Sequence, residues 1–240
     1  KKEAMTSEER AREEEKRARQ DQWLMRGTVA FSIVISVALF ILLPYFVAGL
    51  LRRFTGSETV IALAEACVRM LLFLAYLVLI SRMKDIQRVF MYHGAEHKCI
   101  NCVEHGMNLT VENVMKSSRE HKRCGTSFLL FVMIVSILFF LFIRVPIPWL
   151  RVVIRILLLP VIAGVSYEII RLAGNSDNPV VSLLSKPGLA LQRLTTREPE
   201  EDMVEVAIRA VEAVFDWREY LRENFPGTQV LPEEEKEAVQ

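Results

Sequence analysis

Cysteine and histidine are scarce in this chain, four of each among 240 residues, and that excludes a small disulfide-stapled secreted module. The 10 glycines form no phosphate-cradling loop, and no serine sits in a nucleophile elbow. Charge of one sign is missing too. Thirty Lys and Arg against 29 Asp and Glu leave +1, which gives no overall argument for nucleic acid and none for specific DNA. A signal peptide is not visible, because the charged opening is too long and no small-residue cleavage site follows it. The first residue is Lys1, and the chain is expected to begin partway into a longer protein.

What the sequence does have is segregation. Apolar residues make up 52% of the chain and are gathered into long runs, beside segments too charged to share a core with them. A hydrocarbon layer about 30 Å thick needs about 20 helical residues to cross it. Four runs meet that length: Thr28–Leu50, about 59–80, Thr126–Ile143 and Val152–Ile170. The fold class expected is therefore all-α, a polytopic membrane protein with four transmembrane helices. Pro44 predicts a kink in the first span, and Arg52-Arg53 closes it. Glu65 and Arg69 in the second span stand at i and i+4, where they can pair along one face. The fourth span carries Arg155, Pro160 and Glu168. Cys67 reads as a small packing residue within its span.

Four domains follow: residues 1–26, a charged cytoplasmic helix or linker; 27–171, the membrane domain with a long loop at 81–125; 172–225, amphipathic cytoplasmic helices; and 226–240, a disordered acidic tail. In the first, Glu8–Arg17 alternates charges at helical spacing without an apolar stripe. In the third, Leu183–Leu194 is amphipathic enough to lie along a membrane surface. Met203–Phe225 repeats apolar residues at Val206, Ala210, Ala213, Val214, Trp217 and Leu221, which is helical periodicity. Eight Lys and Arg precede the first span, and two (Arg52, Arg53) follow it. The next segments carry eight, then two (Arg144, Arg151) around a Pro-punctuated reversal with Trp149, then eight from Arg171 onward. That alternation predicts both termini and the 81–125 loop in the cytoplasm.

Three of the four Cys and all four His fall in this loop. In Tyr92-His93-Gly94-Ala95-Glu96-His97-Lys98 the two imidazoles share a helical face one turn apart, with a carboxylate beside them. Such a pair can grip one metal ion while Glu96 serves as ligand or base. His121 and Cys124 precede the third span immediately, so the membrane fixes their height. The donor set His93, His97, His121 and Cys124 suits Zn²⁺. Cys102, in Cys99-x-x-Cys102, is a possible additional ligand, and Lys98 or Arg123 a possible contact for a developing anion. His105 reads as a surface residue in a turn. A structural site and a catalytic one remain open on these residues alone.

The segments Tyr92–Lys98, Leu109–Val114, His121–Phe128, Tyr167-Glu168, Leu191–Pro199 and Val204–Ile208 resemble the YqhQ family of bacterial membrane proteins. The resemblance covers about Trp23 to Trp217. It implies a protein of the bacterial plasma membrane and a metal-dependent enzyme, with His93, Glu96, His97, His121 and Cys124 as the residues that carry the metal label. The Gly-rich N-terminal segment of that family is absent here, and Cys99 stands where a Thr is expected. The leading expectation is a Zn-dependent hydrolase working at the membrane surface. The alternative is a non-catalytic accessory subunit in membrane-protein insertion, touching a translocon or a ribosome, with the His/Cys cluster structural. The basic loop and tail suit anionic lipid or ribosomal phosphate.

Overall fold

The computed structural model describes residues 7–143, 147–176 and 178–232, with the side chains of 7–14, 148, 151 and 152 excepted. The first six residues, most of the reversal after the third span (144–146) and the acidic tail from 233 lie outside the described residues. Every regular element among the described residues is helical. Four helices are long and apolar enough to cross a membrane. In their most apolar stretches only 11% to 22% of residues are buried within the chain. Faces so apolar and so bare have lipid as their natural solvent.

The chain divides into two units, Lys1–Phe73 and Leu74–Gln240. In the first, α1 (Ser7–Val37) runs from the charged opening straight into the first span. Arg19 pairs with Glu15 at 2.8 Å, an i,i+4 contact on its solvated part. The helix continues through a π-helical turn, Ala38–Leu42, into α2 (Leu43–Leu50). Pro44 accounts for the wide turn, because it lacks the N–H that would bond the Phe40 carbonyl and its ring crowds that oxygen. Arg69 supplies a donor instead: its Nε lies 3.3 Å from the Phe40 carbonyl, while its Nη2 holds Glu65 at 2.7 Å. The expected pair along the second span therefore forms, and it also satisfies the backbone that proline disturbs. A short 3₁₀ turn at Leu51–Arg53 ends the first span. There Arg52 pairs with Glu58, the first residue of α3 (Glu58–Ile80), at 2.9 Å. Cys67 on α3 is exposed, so it is not the packing residue its position suggested.

The second unit begins with the loop, which is itself folded. α4 (Lys84–Glu104) and α5 (Val111–Lys116) precede the third span, α6 (Gly125–Phe142). The fourth span is α7 (Pro148–Asn175), followed by α8 (Pro179–Thr195). Arg155 of α7 lies 4.9 Å from the centre of the Phe140 ring on α6, and Glu168 meets Arg171 at 3.5 Å. Trp149 is exposed at the start of α7.

Met203–Phe225 is not one helix. It forms α9 (Glu201–Glu212) and α10 (Trp217–Asn224). Asp216 makes the break, its carboxylate accepting the backbone N–H groups of Arg218 and Glu219 as the cap of α10. The break also moves the buried face: Val206 and Val214 are exposed, whereas Met203, Val204, Trp217 and Leu221 are buried. With Ala95, Cys99, Cys102, Val103, Leu109 and Val114 the last three form a buried apolar core. The segment after Pro226 joins it. Thr228 donates to the Gly106 carbonyl at 2.9 Å, and the Asn108 side chain clasps the Gln229 carbonyl and the Leu231 N–H. Residues 226–232 are therefore docked on the loop, where the sequence pointed to the start of a disordered tail.

Candidate metal centre

α4 separates two kinds of side chain by angle. Ala95, Cys99, Cys102 and Val103 turn into the apolar core, leaving His93 and His97 on another side, one turn apart with ring centres 4.4 Å from each other. Cys124, the residue that caps α6, arrives opposite them. Its Sγ is 3.4 Å from His93 Nε2. One ligand atom from each of His93, His97 and Cys124 lies within 4.8 Å of the others.

The hydrogen bonds fix how the imidazoles present themselves. His93 Nδ1 is 2.8 Å from the Thr195 carbonyl, and His97 Nδ1 is 2.7 Å from the Arg119 carbonyl. A carbonyl only accepts, so in both rings Nδ1 carries the proton and donates. The neutral ring then has its lone pair on Nε2, and His93 aims that atom at the sulfur. This is the tautomer a metal ligand needs, held by the kind of backbone contact that orients such ligands. Burial alone would push the Cys124 thiol up. Contacts with His93, His97 and the Thr126 hydroxyl and N–H outweigh it and bring it down to about 5. The same contact with Cys124 raises His93, against the effect of its burial.

Close approach makes the arrangement possible. Gly94 faces the backbone of Arg197, whose carbonyl occupies the place a Cβ would take. Arg197 N–H donates to the Phe90 carbonyl at 2.9 Å. α4 and the segment that follows α8 thus touch backbone to backbone, which brings Thr195 within reach of His93. The cost of a mid-helix glycine is accepted at a position where any side chain would collide with backbone.

The other sequence-derived candidates are placed elsewhere. His121 donates from Nε2 to Glu104 at 3.0 Å, and its Nδ1 accepts the Arg123 N–H at 3.3 Å. Both ring nitrogens are engaged, and the ring lies 5.9 Å from that of His97 as a neighbour of the three convergent groups. Glu96 is exposed, and its negative charge helps raise His93. Lys98 is almost wholly buried. Its Nζ donates to the Met115 and Ser117 carbonyls at 2.9 and 2.8 Å and pairs with Glu198 at 3.0 Å, so it staples the loop. Arg123 spans Gly174 and Glu104 at 3.5 and 3.8 Å. Cys102 donates to the Asn108 carbonyl at 3.4 Å inside the apolar core, and burial pushes its thiol up to about 11. Burial likewise takes Cys99 up to about 12. Neither sulfur belongs to the convergent group. His105 is exposed in its turn, with Nδ1 donating to the Asn101 carbonyl.

Sequence reasoning missed the parts that hold the site. Thr195 and Arg119 act through main-chain oxygens that no residue type announces. Gln192, fully buried, accepts the His121 N–H at 2.9 Å and donates to the His121 carbonyl at 2.7 Å and to Ser127 Oγ at 2.8 Å. Thr126 Oγ1 lies 3.2 Å from Cys124 Sγ. The signal for Gln192 and Thr195 was present in the Leu191–Pro199 motif, but without a role attached.

Comparison with known proteins agrees with the resemblance. The uncharacterized protein YqhQ of Bacillus subtilis (strain 168) is 44% identical over 180 residues, which cover 75% of this chain and 57% of that protein. The chain thus spans little more than half the length of this relative. No solved structure matches it. The family described as protein of unknown function, DUF1385, matches residues 1–217, and with nearly all of its length so covered the chain belongs to that family.

Proposed function

We propose that His93, His97 and Cys124 form a Zn²⁺ site at the membrane end of the folded loop, and that the protein is a metal-dependent hydrolase working at the membrane surface. The observation that carries the metal reading is the matched pair of Nδ1–H bonds to backbone carbonyls, which frees the Nε2 atoms of both rings for a ligand and turns that of His93 to the Cys124 sulfur. Two donors on one tetrahedral zinc are about 3.5 Å apart. The 3.4 Å between His93 Nε2 and Cys124 Sγ fits that span. Two nitrogens and one sulfur also suit Zn²⁺ better than hard, oxygen-seeking cations.

Three protein donors are the number found where a tetrahedral zinc keeps a position open, whereas structural sites close all four. Zinc so held supplies Lewis-acid activation. Of the chain's own groups, Glu96 is the carboxylate whose charge is felt at His93, and it is exposed, so it can exchange protons with solvent during a hydrolytic step.

Elemental analysis of the full chain purified without added metal tests the reading. Zinc is expected in equimolar amount. His97→Ala and Cys124→Ser are expected to lose it, and Glu96→Gln to retain it while failing to replace the native protein in cells. A metal-free native protein, or zinc retained in both ligand variants, would sink the proposal. Zinc together with a fully functional Glu96→Gln protein would favour the structural site of an accessory subunit.

A further inference from the structure

In water α8 would have its faces reversed. Apart from Leu191, the side it turns toward the chain is small and polar: Ser185, Gly188, Gln192 and Thr195 are all buried. Gly188 lets it come so close to α6 that a Cβ there would stand 2.8 Å from Ser127 Oγ. The outer side is the greasy one. Val180, Leu183 and Leu184 are 64%, 61% and 57% exposed. At 100° per residue these three share a sector with Pro187, and the exposed Lys186 falls at its edge. Arg193 lies beside Lys186 on the same edge, its Nε donating to Glu120 at 2.9 Å.

The rest of the described chain leaves Val180, Leu183 and Leu184 open, and their surroundings identify the occupant. α8 packs on two spans, α6 and α7. Both spans expose apolar side chains of their own, Leu129 on α6 and Leu172 on α7 at 52% and 56%. Exposed apolar side chains are thus found on both spans and on the outer face of α8, which has a cationic edge. That is the pattern of a helix lying in a membrane interface.

We propose that α8 lies in the plane of the bilayer, with Val180, Leu183 and Leu184 among the acyl chains of the leaflet that α6 and α7 enter. Lys186 then sits at headgroup level, where anionic phosphates complement it. The same helix ends in Thr195, whose carbonyl orients His93, and carries Gln192, which holds the backbone of His121. The lipid contact therefore bears on the helix that braces the loop, and it stands whether or not a metal binds there.

The experiment is photo-crosslinking of the full chain reconstituted in vesicles of phosphatidylethanolamine and phosphatidylglycerol. A benzophenone amino acid is placed at position 183, at 157 on α7 as a reference for lipid exposure, or at 205 on α9 as a reference for solvent. Leu157 and Glu205 are both exposed, so none of the three substitutions disturbs packing. Phospholipid adducts are expected by mass spectrometry at 183 and 157 and not at 205. A lipid adduct at 157 with none at 183 would overturn the proposal. So would a covalent dimer at 183 in place of the lipid adduct, which would make this face an interface between copies of the chain.

Discussion

At the scale of single residues, the site depends on a proton and a missing methyl group. His93 and His97 are ordinary imidazoles until Thr195 and Arg119 take their Nδ1 protons in hydrogen bonds, after which both present Nε2. Gly94 permits this, because the Arg197 carbonyl already fills the space of its Cβ. Gly94→Ala would ordinarily stabilise an exposed helix interior by roughly 0.5–1 kcal/mol. Here the sign reverses. Overpacking typically costs about 1–3 kcal/mol, and the Arg197 backbone must retreat, drawing the end of α8 with Thr195 away from His93. Loss of such an orienting contact typically weakens a metal site about 10- to 100-fold. A zinc titration of the reconstituted variant should show that loss, and unchanged affinity would detach Gly94 from the site. The His-x-x-Glu-His spacing made the face of α4 legible in the sequence. The purpose of its glycine was not, because the atom it makes room for lies about a hundred positions away.

Among the elements, the spans were the easiest to read and the loop the hardest. An apolar run of about 20 residues has few physical readings, so the expected bounds of the last three spans fall within about five residues of the observed helices, whereas the first lies inside a helix that begins about 20 residues earlier. Met203–Phe225 looked continuous because Trp217 and Leu221 keep helical spacing with Val206 and Val214. Asp216 interrupts it by offering its carboxylate to two N–H groups, a local competition that a periodicity count does not weigh. The joint between loop and membrane was equally hidden. It rests on Gln192 of α8, fully buried, whose amide answers both main-chain groups of His121 and the Ser127 hydroxyl of α6. Gln192→Leu keeps the volume but leaves a buried N–H and a buried carbonyl of His121 without that partner, at about 1–3 kcal/mol each. Gln192→Glu restores the acceptor but not the donor, so it is expected to recover only part of the loss. Denaturant unfolding should rank native, Glu and Leu in that order, and the His121 amide should exchange faster in the Leu variant. Equal stability of all three would mean that the joint is held elsewhere.

For the whole molecule, parity and charge set the orientation. A chain that crosses a bilayer four times returns to the side on which it started, and the segment between its second and third crossings lies on that side too. The 81–125 loop and both flanking segments are therefore expected to share one compartment, whichever it is. The Lys and Arg distribution selects it, since the loop and both flanks each carry eight and the two short connections carry two apiece. Cytoplasmic segments are the ones enriched in these residues. On that expectation the thiol of Cys124 is predicted to face a reducing compartment, in which a free thiolate remains available to a metal. Reporter fusions test both parts of the argument. A phosphatase that works only outside the cytoplasm should be active when fused after Phe54 and inactive when fused after His105 or Gln240, and a fluorescent protein that folds only inside should give the opposite pattern. Activity after His105 and Gln240 together would keep the four crossings and invert the charge argument. Activity after His105 alone would remove a crossing between α6 and the C-terminus, and the exposed apolar face of α7 would then need a protein partner in place of lipid.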